Sequence, residues 1–224
     1  MKQVVISSVS KSYGEVRVLE NINLQFTTNS INGIIGKNGV GKSTLLQCIA
    51  GFIDYSGVIT REGIQRIGLL PASPYMFPRI TGKEFIDFSL SAKKRDIDKS
   101  RLNQLNSIFE IPLNRFADEY STGMLKKLHL IALLLQDNDL LLLDEPFDGL
   151  DAVSVAYLIE ILKKERTEDR VILITSHNTD RLSKIADTVT YVDSGRAEML
   201  TGSIADFEKE IEELARKRIN MIYR

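Results

Sequence analysis

Hydrophobic and polar positions change period partway along the chain. In the first third, short extended segments at 3–9, 22–26, 31–35, 57–60 and 66–70 are separated by Gly, Asn, Ser and Asp, the pattern of strands joined by turns. After residue 120, helix and strand signals alternate. Residues 125–136 read as a helix, 140–143 as a buried strand, 152–164 as a helix with Val155, Ile159 and Leu162 on one face, and 171–174 as a second buried strand. Continuous apolar strands between helices indicate a mostly parallel sheet covered on both faces, hence an α/β class. Residues 76–120 interrupt the alternation with polar helices at 83–90 and 99–109, which predicts a helical insert between core segments 1–75 and 121–224. The tail at 204–217 carries Glu and Lys/Arg at helical spacing, as a solvated helix face does.

Composition narrows the picture. With 224 residues, 43% of them hydrophobic and 26% charged, the chain can build a sizeable core and falls outside disordered and collagen-like classes. One cysteine excludes an internal disulfide. The apolar run 128–135 contains His129 and ends at Gln136-Asp137-Asn138-Asp139, too short to cross a bilayer. No secretory leader opens the sequence, so the cytoplasm is the expected compartment. A net charge of −1, from 29 Lys+Arg and 30 Asp+Glu, leaves no electrostatic footprint for nucleic acid.

Gly36-Lys37-Asn38-Gly39-Val40-Gly41-Lys42-Ser43 matches the phosphate-loop pattern G-x-x-x-x-G-K-[ST] at every fixed position. A chance match in this length is below about one in a hundred. An apolar strand enters the loop, and Thr44 with the residues after it leaves as a helix. Glycines let main-chain N–H groups turn inward around phosphate oxygens, while the helix N-terminus adds a favourable dipole. Lys42 supplies a point charge, and the Ser43 hydroxyl is a ligand for Mg²⁺.

Two further strands end in chemistry. Leu140-Leu141-Leu142-Leu143 runs into Asp144-Glu145-Pro146, placing two acids at the carboxyl end of a buried strand, where open α/β sheets bind ligands. Asp144 is a candidate holder of Mg²⁺. Glu145 is a candidate general base that polarises a water for attack on a γ-phosphate. The strand 171–174 leads to Thr175-Ser176-His177; His177 either contacts the γ-phosphate and helps to position that water or is a satisfied structural residue. His129, inside an apolar helix, reads as structural.

Together these motifs resemble the nucleotide-binding subunit of an ATP-binding cassette (ABC) transporter. The resemblance rests on residues 36–44, 120–124 and 140–146, on Asp148-Gly149-Leu150-Asp151 and on His177, in that order. It implies a P-loop NTPase core with an N-terminal antiparallel β subdomain. It also implies ATP and Mg²⁺ as cofactors, Tyr13 stacking on adenine with Val18 beside it, Glu145 as catalytic base and His177 as switch histidine. The family forms head-to-tail dimers, so Ser121 and Gly123 of one copy are expected to reach the γ-phosphate bound by the other. Residues 148–151 form the loop that links the two sites, with Asp151 among the nucleotide-site residues.

Two departures from the family pattern matter. The signature stands as Tyr120-Ser121-Thr122-Gly123-Met124, a variant similar to those of bacterial exporters. In the loop 68–74, Ala72 stands where the family has a Gln that contacts Mg²⁺, and an Ala side chain has no oxygen to offer. The expected function is ATP hydrolysis driving transport, in the export direction, through a separate membrane permease at the inner face of the cell membrane. The two cassettes are identical or paired with a different one, with no membrane insertion and no nucleic acid. A soluble ABC-type ATPase without transport, and a regulatory module that hydrolyses weakly, are the rival readings.

Overall fold

The computed structural model describes residues 2–200 and 206–223. Strands β1 (Gln3–Tyr13), β2 (Val16–Thr27) and β4 (Ser56–Glu62) form an antiparallel sheet in the order β2-β1-β4. A six-stranded sheet follows the order β5-β6-β7-β3-β8-β9, built from β5 (Ile67–Leu70), β6 (Leu140–Asp144), β7 (Val171–Ser176), β3 (Ile31–Ile35), β8 (Thr188–Asp193) and β9 (Arg196–Leu200). Its pairs are parallel except β8 with β9.

The central strands are buried at every position, and successive side chains feed different cores. Ile31, Ile35, Leu141, Leu143, Ile172 and Ile174 pack on one face with α5 (Ala152–Glu165) and α6 (Thr179–Ser183). Ile34, Leu140, Leu142, Val171 and Leu173 face the other way, toward α1 (Lys42–Ala50) and the antiparallel sheet. This two-sided burial is why these strands read as unbroken apolar runs rather than alternating ones.

The insert contains α2 (Gly82–Ser91) and α3 (Lys99–Phe109), each with a side-chain cap from Thr81 and Asp98. Its core is completed from outside the expected boundary. Leu128, Ile131, Ala132, Leu134 and Leu135 of α4 (Thr122–Leu135) pack with Phe85, Ile86, Leu90, Leu105 and Phe109. The helical layer therefore continues past residue 120, and α4 joins it to the sheet. At the C-terminal end, α7 spans Phe207–Ile222; the expected helix began at 204, and 204–205 lie outside the described residues.

Candidate nucleotide site

Register brings three strand ends level. Ile35 of β3 pairs with Ser176 of β7, and Thr175 of β7 pairs with Asp144 of β6. The phosphate loop, the acidic pair and His177 therefore meet along one edge of the sheet, beside a cleft of about 590 Å³.

The loop from Gly36 to Gly41 ends at the start of α1. Gly41, at φ 111°, is the N-cap of α1; no side chain caps the helix and its first turn holds no acid. A left-handed φ at that position suits glycine alone. The first N–H groups of α1 are thus left for an anion. Asn38, Gly39, Gly41, Lys42, Ser43 and Thr44 all border the cleft. Lys42 is buried, its Nζ donating to the carbonyls of Gly36 (2.8 Å) and Lys37 (3.2 Å) and lying 3.2 Å from Glu145 Oε1.

The acidic pair is organised by one hydroxyl. Thr175 Oγ1 donates to Asp144 Oδ1 at 2.6 Å and accepts the Glu145 N–H at 3.0 Å. This uses its one proton and one lone pair to fix the two residues relative to each other. Glu145 itself has φ 45°, a strained value for a non-glycine residue. Its carboxylate is divided between two partners. Oε1 faces Lys42, while Oε2 lies 3.1 Å from His177 Nδ1 and accepts the His177 main-chain N–H at 3.3 Å. Asp148 Oδ2 is 3.9 Å from the same His177 nitrogen.

The remaining expected residues are placed as follows. Val18 borders the cleft. Tyr13, at the end of β1, is half exposed with the Lys11 ammonium 5.1 Å from its ring centre, and is not among the residues bordering the cleft. Ser121 is the N-cap of α4, its Oγ accepting from the Met124 N–H at 3.2 Å. Its neighbour Thr122 borders the cleft. Gly123 packs so closely on the next loop that an added Cβ would lie 2.5 Å from the Gly149 carbonyl. Asp151 caps α5, accepting from the Ser154 N–H and hydroxyl and from Lys127 Nζ. The Ser154 bonds, with help from Lys127, hold its carboxyl well below the ordinary range. Asp148 and Gly149, rather than Asp151, border the cleft.

Sequence reasoning does not single out Thr175, Lys126 or Asp148 as individual site residues. Each depends on what lies across a strand or a helix contact. Ala72 and Ser73 do border the cleft. For a metal, Ser43 borders the cleft, while Asp144, buried at the strand end and not among the bordering residues, keeps one carboxylate oxygen beyond its bond to Thr175. One hydroxyl and one carboxylate, completed by phosphate oxygens and water, fit a hard octahedral cation. Ala72 adds no ligand.

The second expected histidine role also has a clear placement. His129 is mostly buried against Phe85, ring centres 4.5 Å apart. Burial drives its pKa down to about 4, offset in part by a hydrogen bond with the Tyr75 main chain. This histidine is far from the acidic pair in role: it ties α4 to α2 and to the loop at 75.

The strand-loop-helix geometry and the acidic strand end define a P-loop nucleotide-binding domain. Comparison with known proteins narrows this. A family model described as ABC transporter matches residues 19–148. The ABC transporter ATP-binding protein NatA of Bacillus subtilis is 31% identical over 80% of this chain and 80% of its own length. The Fe(3+) ions import ATP-binding protein FbpC of Serratia marcescens is 33% identical over 88% of this chain and 62% of its own. A solved structure of an ATP-binding subunit of an ABC transporter shares the fold at a TM-score of 0.81, with 22% identity and 93% of each chain covered. The chain belongs to the ABC transporter family as an ATP-binding subunit, and is an ATP hydrolase of that class.

Proposed function

We propose that the chain powers transport, in the export direction, through a separate membrane permease, by MgATP-dependent pairing of two cassettes head to tail. The observation that carries the hydrolytic part is the placement of Glu145 between Lys42 and His177, directly beside the phosphate loop. Lys42 lies within reach of two loop carbonyls and of Glu145, so its ammonium is placed to contact a triphosphate in that loop while the Glu145 carboxylate polarises water. The bare N-terminus of α1 receives the phosphates, and His177, held against Glu145, orients the attacking water. Ser43 and Asp144 hold Mg²⁺, which supplies charge neutralisation on the phosphate oxygens.

The position of the signature supports the pairing. Ser121 opens α4 at the surface, so a second copy can receive its hydroxyl and the first N–H groups of that helix. The export direction rests on the resemblance of residues 120–124 to exporter signatures; the iron-import relative belongs to the same family. Permease contact is assigned to the exposed aromatic row Tyr75, Phe77 and Phe88, packed edge to face at 5.7 and 5.9 Å. Phe85, on the same helix as Phe88, is buried in the helical core instead. Among the described residues no helix is long and apolar enough to cross a membrane.

The test is steady-state phosphate release from purified protein, compared with Glu145→Gln. A general base contributes roughly 10²- to 10⁴-fold, so the variant should fall by at least the lower figure and accumulate an ATP-bound dimer on size exclusion. Equal rates in the two proteins would reduce the chain to a nucleotide-binding module.

A further inference from the structure

Lys126 is only 2% exposed, yet it sits one turn into α4 on the wall of the nucleotide cleft, near Ala72. Its Nζ donates at 2.8 Å to the main-chain carbonyl of Glu145. Among the described residues it has no carboxylate within ion-pair distance, although Asp148, Glu145 and Asp144 act on it from farther away. Burying an ammonium against a carbonyl is a poor way to gain stability, because the lost hydration is only partly returned. A Met would fill the same volume without that penalty.

The carbonyl it holds belongs to the one strained residue of the site. Glu145 has φ 45°, and its carbonyl also accepts the Asp148 N–H at 3.2 Å. With the Thr175 hydroxyl on its N–H, His177 on one carboxylate oxygen and Lys42 at ion-pair distance from the other, Glu145 is fixed at both ends of its main chain and at one oxygen of its side chain. Only the Lys126 contact reaches the Glu145 main chain from the helix that begins with the signature. The main-chain anchors set the direction in which the carboxylate leaves this turn.

We infer that Lys126 is a positioning residue for Glu145: its ammonium pins the Glu145 carbonyl, holds the left-handed turn, and ties the aim of the base to the start of α4. This rests on the hydrolytic reading above. Lys126 touches neither the base's carboxylate nor the reacting atoms. A misplacement on the order of 1 Å costs as much as 10²-fold in rate.

The experiment compares the full chain with Lys126→Met and Lys126→Arg. Phosphate release gives kcat and KM, titration with a fluorescent ATP analogue gives Kd, and thermal unfolding gives Tm. Hydrogen exchange follows the amides of residues 145–149. For Lys126→Met we expect kcat to fall roughly 10- to 100-fold, KM and Kd to stay within about twofold of the parent's, Tm to be unchanged or higher, and amide exchange at 145–149 to quicken. Lys126→Arg keeps a charged donor beside the cleft, so it should recover most of kcat and of the slow exchange. Parental kcat together with parental exchange in Lys126→Met would overturn the inference, as would a loss of kcat matched by an equal loss of nucleotide affinity and of Tm. A parent protein without ATP turnover would instead sink the hydrolytic reading, and the exchange comparison would then decide the Lys126 contact by itself.

Discussion

Lys42 Nζ lies 3.2 Å from Glu145 Oε1, an ion pair that joins the phosphate loop to the acidic end of β6. Both groups are largely buried, and each spares the other an unpaired charge.

Lys42→Ala should weaken nucleotide binding by about 1.5 to 3 kcal/mol, the worth of a hydrogen bond to a charged group, or roughly 10- to 150-fold. Titration with a fluorescent ATP analogue reads it. The substitution also strands the Glu145 carboxylate, so Tm should drop. Adding Glu145→Gln should restore Tm without restoring affinity. A single variant with parental affinity would remove Lys42 from the phosphate site.

Ala72→Gln should raise turnover. A carboxamide oxygen at this border of the cleft can replace a water in the metal's coordination, worth about 1 kcal/mol, or roughly fivefold in rate. The measurement is ATPase rate against Mg²⁺ concentration. A rate no higher than the parent's would mean that position 72 does not reach the metal.

Asp139 anchors the entry to β6. Its carboxylate accepts from Lys2 Nζ at 2.8 Å and from the Gln65 and Arg66 N–H groups at 2.9 and 2.8 Å. Burial alone would raise its pKa, but the Lys2 bond and the two main-chain donors outweigh it and bring the value down to about 2. Because the folded value lies below the unfolded one, the ionised group stabilises above about pH 4, and that contribution is lost as pH falls toward 2. Asp139→Asn should cost about 2 kcal/mol near neutral pH, with the gap to the parent narrowing below pH 4 and nearly closed at pH 2. Urea unfolding at several pH values checks this.

His129 gives a second acid dependence at higher pH. Its folded pKa of about 4 lies below the ordinary imidazole value of 6.5. The neutral ring therefore stabilises fully above 6.5, and that contribution declines as pH falls toward 4. His129→Leu should flatten the stability profile between those limits. An unchanged slope would mean that the ring is not held neutral against Phe85.

How much of this was legible beforehand depended on distance along the chain. The phosphate loop, the strand ending in Asp144-Glu145 and the strand leading to His177 are local patterns, and they fall where their spacing predicts. Thr175 is invisible to such reading because its role comes from standing opposite Asp144 on a neighbouring strand. Lys126 and Lys127 look like one solvated pair. Adjacent helix positions point about 100° apart, and packing alone decides that the first is buried while the second reaches Asp151. Asp151 shows the converse: the motif marks it for the site, while the local Asp-x-x-Ser spacing gives it to the helix cap. The β8–β9 hairpin does carry a local signal, Ser194-Gly195 with φ 50° and 78°, that apolar periodicity does not weigh.

The fit of Gly123 against the Gly149 carbonyl leaves no space for even a methyl group between the start of α4 and the loop after β6. The two arcs are thereby locked in step. A side chain at position 123 would therefore have to drive the start of α4 and the loop after β6 apart, so glycine there sets how closely the two approach.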